Sequence, residues 1–368
     1  MGAISTRSKI YAAILALLLL VFGIMKLIEV FNSDNENPAA AQGGSLTFLF
    51  MSDTRAEPTD VDYSNYGKML TKAIELGDPE LVVFGGDSIY FGGDPLEWRE
   101  FLKAAGNEFN ERITASTVGD YDTHSLFPGQ FDQPKDFEGG ALGYSYSFAM
   151  DNLFFLMLDS CVITNNMTEI GPTAPPSGEV LEWLHETLYS EAAAGAEWQI
   201  VVMHHPMWSV TEDPIDAQRA EYMQEYFLPL MVDSGIDIIL CGHQQYYSRT
   251  EYSADDIADI IAGSNAYNVV GREAAGDADD GVEDSSDNSS GSNENAAVMT
   301  GGTPEDSGII QIMAASGNKG SSKLGNYYNV RKSGDAPNFV LLTADEKEIA
   351  ITAHTPNGDV FDRFILTK

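Results

Sequence analysis

Positive charge is scarce in this chain: 20 Lys and Arg stand against 56 Asp and Glu in 368 residues, a formal net charge of −36. A field of that sign repels nucleic-acid phosphates and anionic lipid surfaces, which argues against nucleic acid as a partner. Cysteine is scarcer still. Cys161 and Cys241 are the only two, each beside an apolar run, so they read as packed thiols and the fold must stand without a disulfide framework. There is no Gly-rich phosphate loop followed by Lys to support ATP-driven chemistry. No Ser-His-Asp or Cys-His arrangement for nucleophilic catalysis is visible, and no internal repeat. Apolar material is ample: hydrophobic residues at 43% and aromatics at 10% are globular values, incompatible with wholesale disorder or a collagen-like or coiled-coil chain.

The first thirty residues stand apart. Residues 10 to 25 (IYAAILALLLLVFGIM) form an unbroken apolar run after Arg7 and Lys9. With a hydrocarbon core about 30 Å thick, the run spans it if Lys26 and Glu29 snorkel at the far end. No polar positions at helical spacing interrupt it, which disfavours a buried core helix. Basic residues on the N-terminal side keep that end in the cytoplasm and put the remainder outside. The expectation is therefore a membrane anchor over residues 1–31 and a short tether over 32–44, holding a single-pass protein whose main portion lies outside the cytoplasm. The alternative is a secreted protein released by cleavage near Ala39, Ala40 and Ala41.

From Ser45 onward, short apolar runs at 46 to 51, 81 to 84, 113 to 118, 153 to 158, 199 to 203 and 236 to 241 read as strands. Amphipathic stretches at 63 to 76, 95 to 105, 178 to 190 and 216 to 233 read as helices between several of them. That alternation predicts an α/β fold with parallel sheet covered on both faces. Beyond residue 308 only strands remain, at 309 to 314, 338 to 343, 349 to 354 and 361 to 366, implying a second, mostly antiparallel sheet. Residues 273–307 fit neither pattern. They hold ten Asp and Glu, no basic residue and almost no large apolar side chain, and read as a disordered acidic insertion within a domain spanning 45–368. The remaining 46 acidic residues still face 20 basic ones, so the folded surface itself is acidic.

The informative polar residues fall just past strands. Asp53 follows LTFLFM, Asp87 follows LVVFGG, Asp120 follows ITASTVG, His204 follows QIVVM and His243 follows IDIILCG. In open α/β sheets the carboxyl ends of parallel strands gather at one edge, where the active crevice forms. Any one of these residues alone is better explained as a helix cap or a hydrogen-bonded structural residue. Five at successive strand ends point to metal ligation, and carboxylate with imidazole suits transition metals better than calcium.

These segments resemble the motifs of the calcineurin-like metallophosphoesterases, and within that family the purple-acid-phosphatase-like branch. They read Ser52-Asp53-Thr54-Arg55, Gly86-Asp87-Ser88-Ile89-Tyr90, Gly119-Asp120-Tyr121-Asp122, His204-His205-Pro206 and Gly242-His243-Gln244-Gln245, with Tyr247-Ser248-Arg249-Thr250 following. The resemblance implies a two-sheet α/β sandwich flanked by helices and a dinuclear metal site. Asp87 would bridge, with Asp120, His204 and His243 completing one position and Asp53, Tyr90 and Gln245 the other. Tyr90 favours a ferric ion there, with iron, zinc or manganese as its companion. Asp120 replaces the family's Asn. Gln245 replaces a His and weakens its position, since an amide oxygen is a poorer donor than imidazole. Tyr121 replaces the phosphate-contacting His, leaving Asp122, His124 and His205 as substitutes, and Arg55 and Arg249 as cations for phosphate oxygens. The activity implied is hydrolysis of small phosphate esters, a metal-bound hydroxide attacking phosphorus in line. The alternative is the same fold kept as a catalytically weakened or inactive surface binding module.

Overall fold

The computed structural model describes residues 45–109, 111–122, 126–132, 142–164, 175–263, 297–300, 308–317, 330–334 and 337–368. The expected anchor and tether lie outside these residues. Among the described residues no helix is long and apolar enough to cross a membrane.

Two seven-stranded sheets carry the chain. The first contains β1 (Leu46–Met51), β2 (Leu81–Phe84), β3 (Ile113–Ser116), β9 (Ala297–Thr300), β12 (Phe339–Ala344), β13 (Glu348–His354) and β14 (Val360–Thr367), in the order β3-β2-β1-β12-β13-β14-β9. The second contains β4 (Tyr146–Met150), β5 (Leu153–Leu158), β6 (Trp198–Met203), β7 (Ile238–Cys241), β8 (Tyr247–Tyr252), β10 (Ile309–Met313) and β11 (Val330–Gly334), in the order β11-β8-β10-β7-β6-β5-β4. The strand pattern after residue 308 does not build a sheet of its own, contrary to expectation. β10 enters the second sheet parallel to β7, while β12 pairs antiparallel with β1 and brings β13 and β14 into the first. Both sheets are therefore mixed. A strand's composition reports burial and not its neighbour, so pairing across nearly three hundred residues leaves no local trace.

The sheets pack face to face. Phe48, Phe50, Leu81 and Val83 of the first share one buried core with Phe155, Ile200, Val202, Leu240 and Ile312 of the second. Phe48 and Phe155 meet edge to face with centroids 5.3 Å apart. Helices α1 (Ser64–Gly77) and α2 (Pro95–Phe109) seal the outer face of the first sheet, where Tyr66, Met69, Leu70 and Phe101 pack with Leu49, Val82 and Phe84. The short helix α3 (Ser160–Ile163) follows β5. Helices α4 (Gly178–Leu188), α5 (Glu191–Ala194), α6 (Pro214–Tyr226), α7 (Leu228–Ser234) and α8 (Ala254–Gly263) follow, and Leu184, Met223, Leu228 and Met231 pack with Phe154, Val201 and Ile239 of the second sheet. Central strands buried on both faces read as continuous apolar runs, which is why LTFLFM and LFFLML show no alternation.

Two elements depart from the sequence reading. The single helix expected over 216 to 233 is two, broken at Phe227 ahead of Pro229, which has no amide to donate to the preceding turn. Of the acidic insertion, residues 297–300 form β9, parallel to β14. The rest of it lies outside the described residues. The two cysteines are free and buried, as expected.

Candidate metal centre

The carboxyl ends of β1, β2 and β3 in one sheet and of β5, β6 and β7 in the other open onto the same edge of the sandwich. The chain leaves these strands in unusual conformations. Asp53 (φ 52°), Asp87 (φ 54°), His243 (φ 71°) and Gln245 (φ 60°) all adopt the left-handed region that side chains other than glycine avoid. Such strain persists only where surroundings over-determine it, and it gathers at functional sites. The determinants are cross-links between strand ends. Asp53 Oδ2 accepts from the His243 amide at 2.9 Å and from Ser52 Oγ at 2.8 Å, tying β1 to β7. Asp87 Oδ1 accepts from the Tyr121 amide at 3.0 Å, tying β2 to β3. Gly119 and Gly242 permit this closeness: a Cβ on Gly119 would lie 2.0 Å from the Asp87 nitrogen, and one on Gly242 1.9 Å from Ser52 Oγ.

Asp87, Asp120, His204 and His243 converge as expected. His204 Nδ1 lies 2.8 Å from the Gly85 carbonyl, which only accepts, so Nδ1 carries the hydrogen and the Nε2 lone pair faces the site. That Nε2 is buried, has no hydrogen-bond partner and stands 3.6 Å from Asp87 Oδ1. His243 Nε2 lies 2.8 Å from Asp216 Oδ1, leaving Nδ1 to face Asp120 Oδ2 at 3.3 Å. One ligand atom each from Asp120, His204 and His243, and likewise from Asp53, Asp87 and His204, lie within 4.8 Å of one another. Burial opposes protonation of His243, but hydrogen bonds and charge from Asp120 and Asp216 outweigh it and raise its pKa to about 10. Burial likewise lowers the His204 pKa, and Asp87, Asp53 and Asp120 overcome it and raise it. Imidazoles drawn toward protonation by clustered carboxylates mark a place short of positive charge. Two imidazoles with outer acceptors and inner nitrogens turned toward Asp87 and Asp120 fit a transition-metal ion.

The other expected position is different. Asp53 Oδ1 and Gln245 Oε1 are buried without hydrogen-bond partners. Arg55 intrudes beside them: its Nε donates to Asp87 Oδ2 at 3.0 Å, and its guanidinium lies 4.4 Å above the Tyr121 ring. Tyr121 in turn stacks on Tyr90 at 4.7 Å. Charge from Asp87 and Asp53 outweighs burial and keeps Arg55 firmly cationic. One oxygen of the expected bridging carboxylate is therefore held by a guanidinium, and these residues fit a second metal less well than the first set.

A family model described as calcineurin-like phosphoesterase matches residues 46–247, more than half of the chain. The protein belongs to that family. An uncharacterized protein of Mycobacterium tuberculosis, in strains CDC 1551 / Oshkosh and H37Rv, is 25% identical over 159 residues, which is 42% of this chain and 28% of the relative. The aligned part thus spans under a third of that relative's length. Among solved structures, a purple acid phosphatase from yellow lupin aligns at TM-score 0.59 and 16% identity, covering 90% of this chain and 55% of its own. The Plasmodium protein GAP50, the anchor in the inner membrane complex, aligns at 0.55 and 16% identity over 88% of this chain and 89% of its own. PhoD aligns at 0.54 and 10% identity over 89% and 71%. At these identities the likeness is one of fold.

This calcineurin-like phosphoesterase gives several expected residues other work. Asp122 has no exposed surface; its carboxylate accepts from the amides of Ser88 (2.9 Å), Ile89 (3.2 Å) and Gly119 (3.1 Å). Burial and the charge of Asp87 push its pKa up to about 7. It clamps the loops after β2 and β3 and presents no face to a substrate. Arg249 pairs with Asp362 at 2.8 Å and with Glu251, so its guanidinium braces β8 against β14. His205 is buried, held by Ser160 Oγ 3.1 Å from Nδ1, and faces Asp120. His124 lies outside the described residues.

Sequence reasoning missed Asp216. Asp216 sits in the first turn of α6, spaced like an ordinary N-terminal helix acid, and nothing local ties it to His243.

Proposed function

We propose that this calcineurin-like phosphoesterase is a membrane-tethered, extracytoplasmic hydrolase of small phosphate esters, working at the centre built on Asp87, Asp120, His204 and His243. Family membership supports phosphoester hydrolysis. The observation that carries the reading is the pair of imidazoles whose outer nitrogens are committed to Gly85 O and Asp216, while the inner nitrogen of His204 has no hydrogen-bond partner and that of His243 faces Asp120. A pure scaffold has no need of that arrangement. A bound metal ion supplies a Lewis acid for phosphoryl oxygens and an acidified water. The chain's own part is to hold the ligands in register, through the strained strand ends, and to place the fixed cation of Arg55 beside the centre. The acidic surface favours substrates of low negative charge.

Kinship with the purple-acid-phosphatase-like branch is also part of this proposal, and rests on Tyr90 standing three residues after Asp87. Iron beside Tyr90, with iron, zinc or manganese as companion, would give a visible tyrosinate-to-iron absorption that Tyr90→Phe abolishes. A second reading, a surface binding module with little or no hydrolysis, is favoured by Arg55 on Asp87 Oδ2 and by Gln245. The deciding measurement is hydrolysis of p-nitrophenyl phosphate and bis-p-nitrophenyl phosphate by the full chain in detergent after metal loading, beside Asp87→Ala. Turnover in the parent and its loss together with metal in Asp87→Ala are expected. A metal-loaded, folded parent that turns over neither ester would leave only the binding module.

A further inference from the structure

Asp120 has two carboxylate oxygens, and they face different groups. Oδ2 lies 3.3 Å from His243 Nδ1, within the centre already described. Oδ1 lies 3.3 Å from His205 Nε2 and 3.6 Å from Cys161 Sγ. Cys161 and His205 are both buried, and the three donor atoms fall within 4.8 Å of one another. His205 Nε2, although near Asp120, has no partner at hydrogen-bonding geometry. Ser160 Oγ accepts from the His205 amide at 3.0 Å and stands 3.1 Å from Nδ1. With the ring hydrogen on Nδ1, the Nε2 lone pair points at Asp120 and Cys161. The thiol is placed to donate to Asp120 Oδ1 or to the Val118 carbonyl, 3.5 Å away, so a metal ion there would take the place of its hydrogen.

We propose that Asp120 Oδ1, Cys161 Sγ and His205 Nε2 form a metal position of their own, suited to zinc, with Asp120 bridging from it to the ion held by Asp87, His204 and His243. Donors ~2.0–2.3 Å from one tetrahedral ion stand roughly 3.3–3.6 Å from each other, matching the two separations to Asp120. Thiolate, imidazole and carboxylate are a zinc-type donor set, and three protein ligands leave a fourth place open. Where the family has an amide, Asp120 supplies a second charged oxygen and so makes a bridge available. Arg55 already neutralises Asp87, whereas Asp120 Oδ1 faces the Cys161 thiol and the His205 ring. On binding, the thiol proton leaves to solvent as the sulfur–metal bond forms.

The test uses the full chain in detergent, loaded with cobalt(II) as the probe and, separately, with zinc. Cobalt-loaded parent should show thiolate-to-cobalt charge-transfer absorption in the near ultraviolet, and zinc-loaded parent a sulfur neighbour at about 2.3 Å in X-ray absorption. Cys161→Ser should abolish both signals and lower metal content by one equivalent; His205→Ala should do the same. Cys241→Ser should leave both signals in place. No sulfur signal in the loaded parent, or a signal that survives Cys161→Ser, would overturn the proposal. Because no readout is hydrolysis, a sulfur signal in a protein without turnover would refute the function proposed above and leave this position standing.

Discussion

The imidazole of His243 is gripped on both nitrogens, by Asp216 at 2.8 Å and by Asp120 at 3.3 Å. Asp216 is itself held by Gln244 Nε2 at 2.8 Å and Thr211 Oγ1 at 3.0 Å, so its orientation is fixed before any ion arrives. Removing such an outer carboxylate weakens a metal site by about 10–100-fold. Asp216→Ala should show a loss of that size in metal titration with little change in fold, and Asp216→Asn, which keeps an acceptor oxygen, a smaller one. At Arg55 the relevant fact is that Nε already occupies Asp87 Oδ2. Gln245→His alone should therefore leave metal content unchanged, whereas Arg55→His with Gln245→His should raise it by one equivalent. An increase from Gln245→His alone would mean that Arg55 yields Asp87 readily.

The loops that follow the strands are the elements on which the centre depends. Gly119 passes so near Asp87 that an added Cβ would meet backbone and carboxylate together, at 2.0 and 2.4 Å. Backbone cannot step aside as a side-chain tip does, so Gly119→Ala should cost about 1–3 kcal/mol in urea unfolding and displace the Tyr121 amide from Asp87. Metal binding should fall with it. The turn into α3 makes a different prediction. Asp159 is fully buried, and burial, partly offset by amides from Tyr144 and Val162, raises its pKa from 3.8 to about 6. Between those values the native chain holds a proton that the unfolded chain has released, so this group's contribution to stability declines as pH rises from about 4 to about 6. Asp159→Asn should remove that part of the slope in urea midpoints measured against the parent.

At the scale of the whole molecule, the sandwich from β1 to β14 encloses its own core. Deleting residues 1–44 should accordingly release a soluble protein that unfolds cooperatively, checked by urea denaturation in the absence of detergent. Aggregation or loss of cooperativity would mean that the apolar run from Ile10 to Met25 belongs to the core.

Most of the strands, though not β4, β8, β9 or β11, the pinning of Asp53, Asp87, Asp120, His204 and His243 to strand ends, and the family motifs were determined by the sequence itself, because burial and backbone exits leave local marks in composition. The assignment of strands to sheets was decided only by tertiary structure: β12 beside β1, and β10 beside β7, are contacts between distant segments that no local pattern encodes. The same holds for the work of individual side chains. Asp122 and His205 read as candidates for chemistry because they adjoin ligands in sequence, yet one is consumed by three backbone amides and the other, held by Ser160, turns its Nε2 to Asp120 Oδ1. Asp216, a helix acid with nothing distinctive around it, became part of the centre because α6 lays it against His243. A side chain's role follows from which lone pairs and hydrogens remain uncommitted after folding, and that is settled by neighbours brought from elsewhere in the chain.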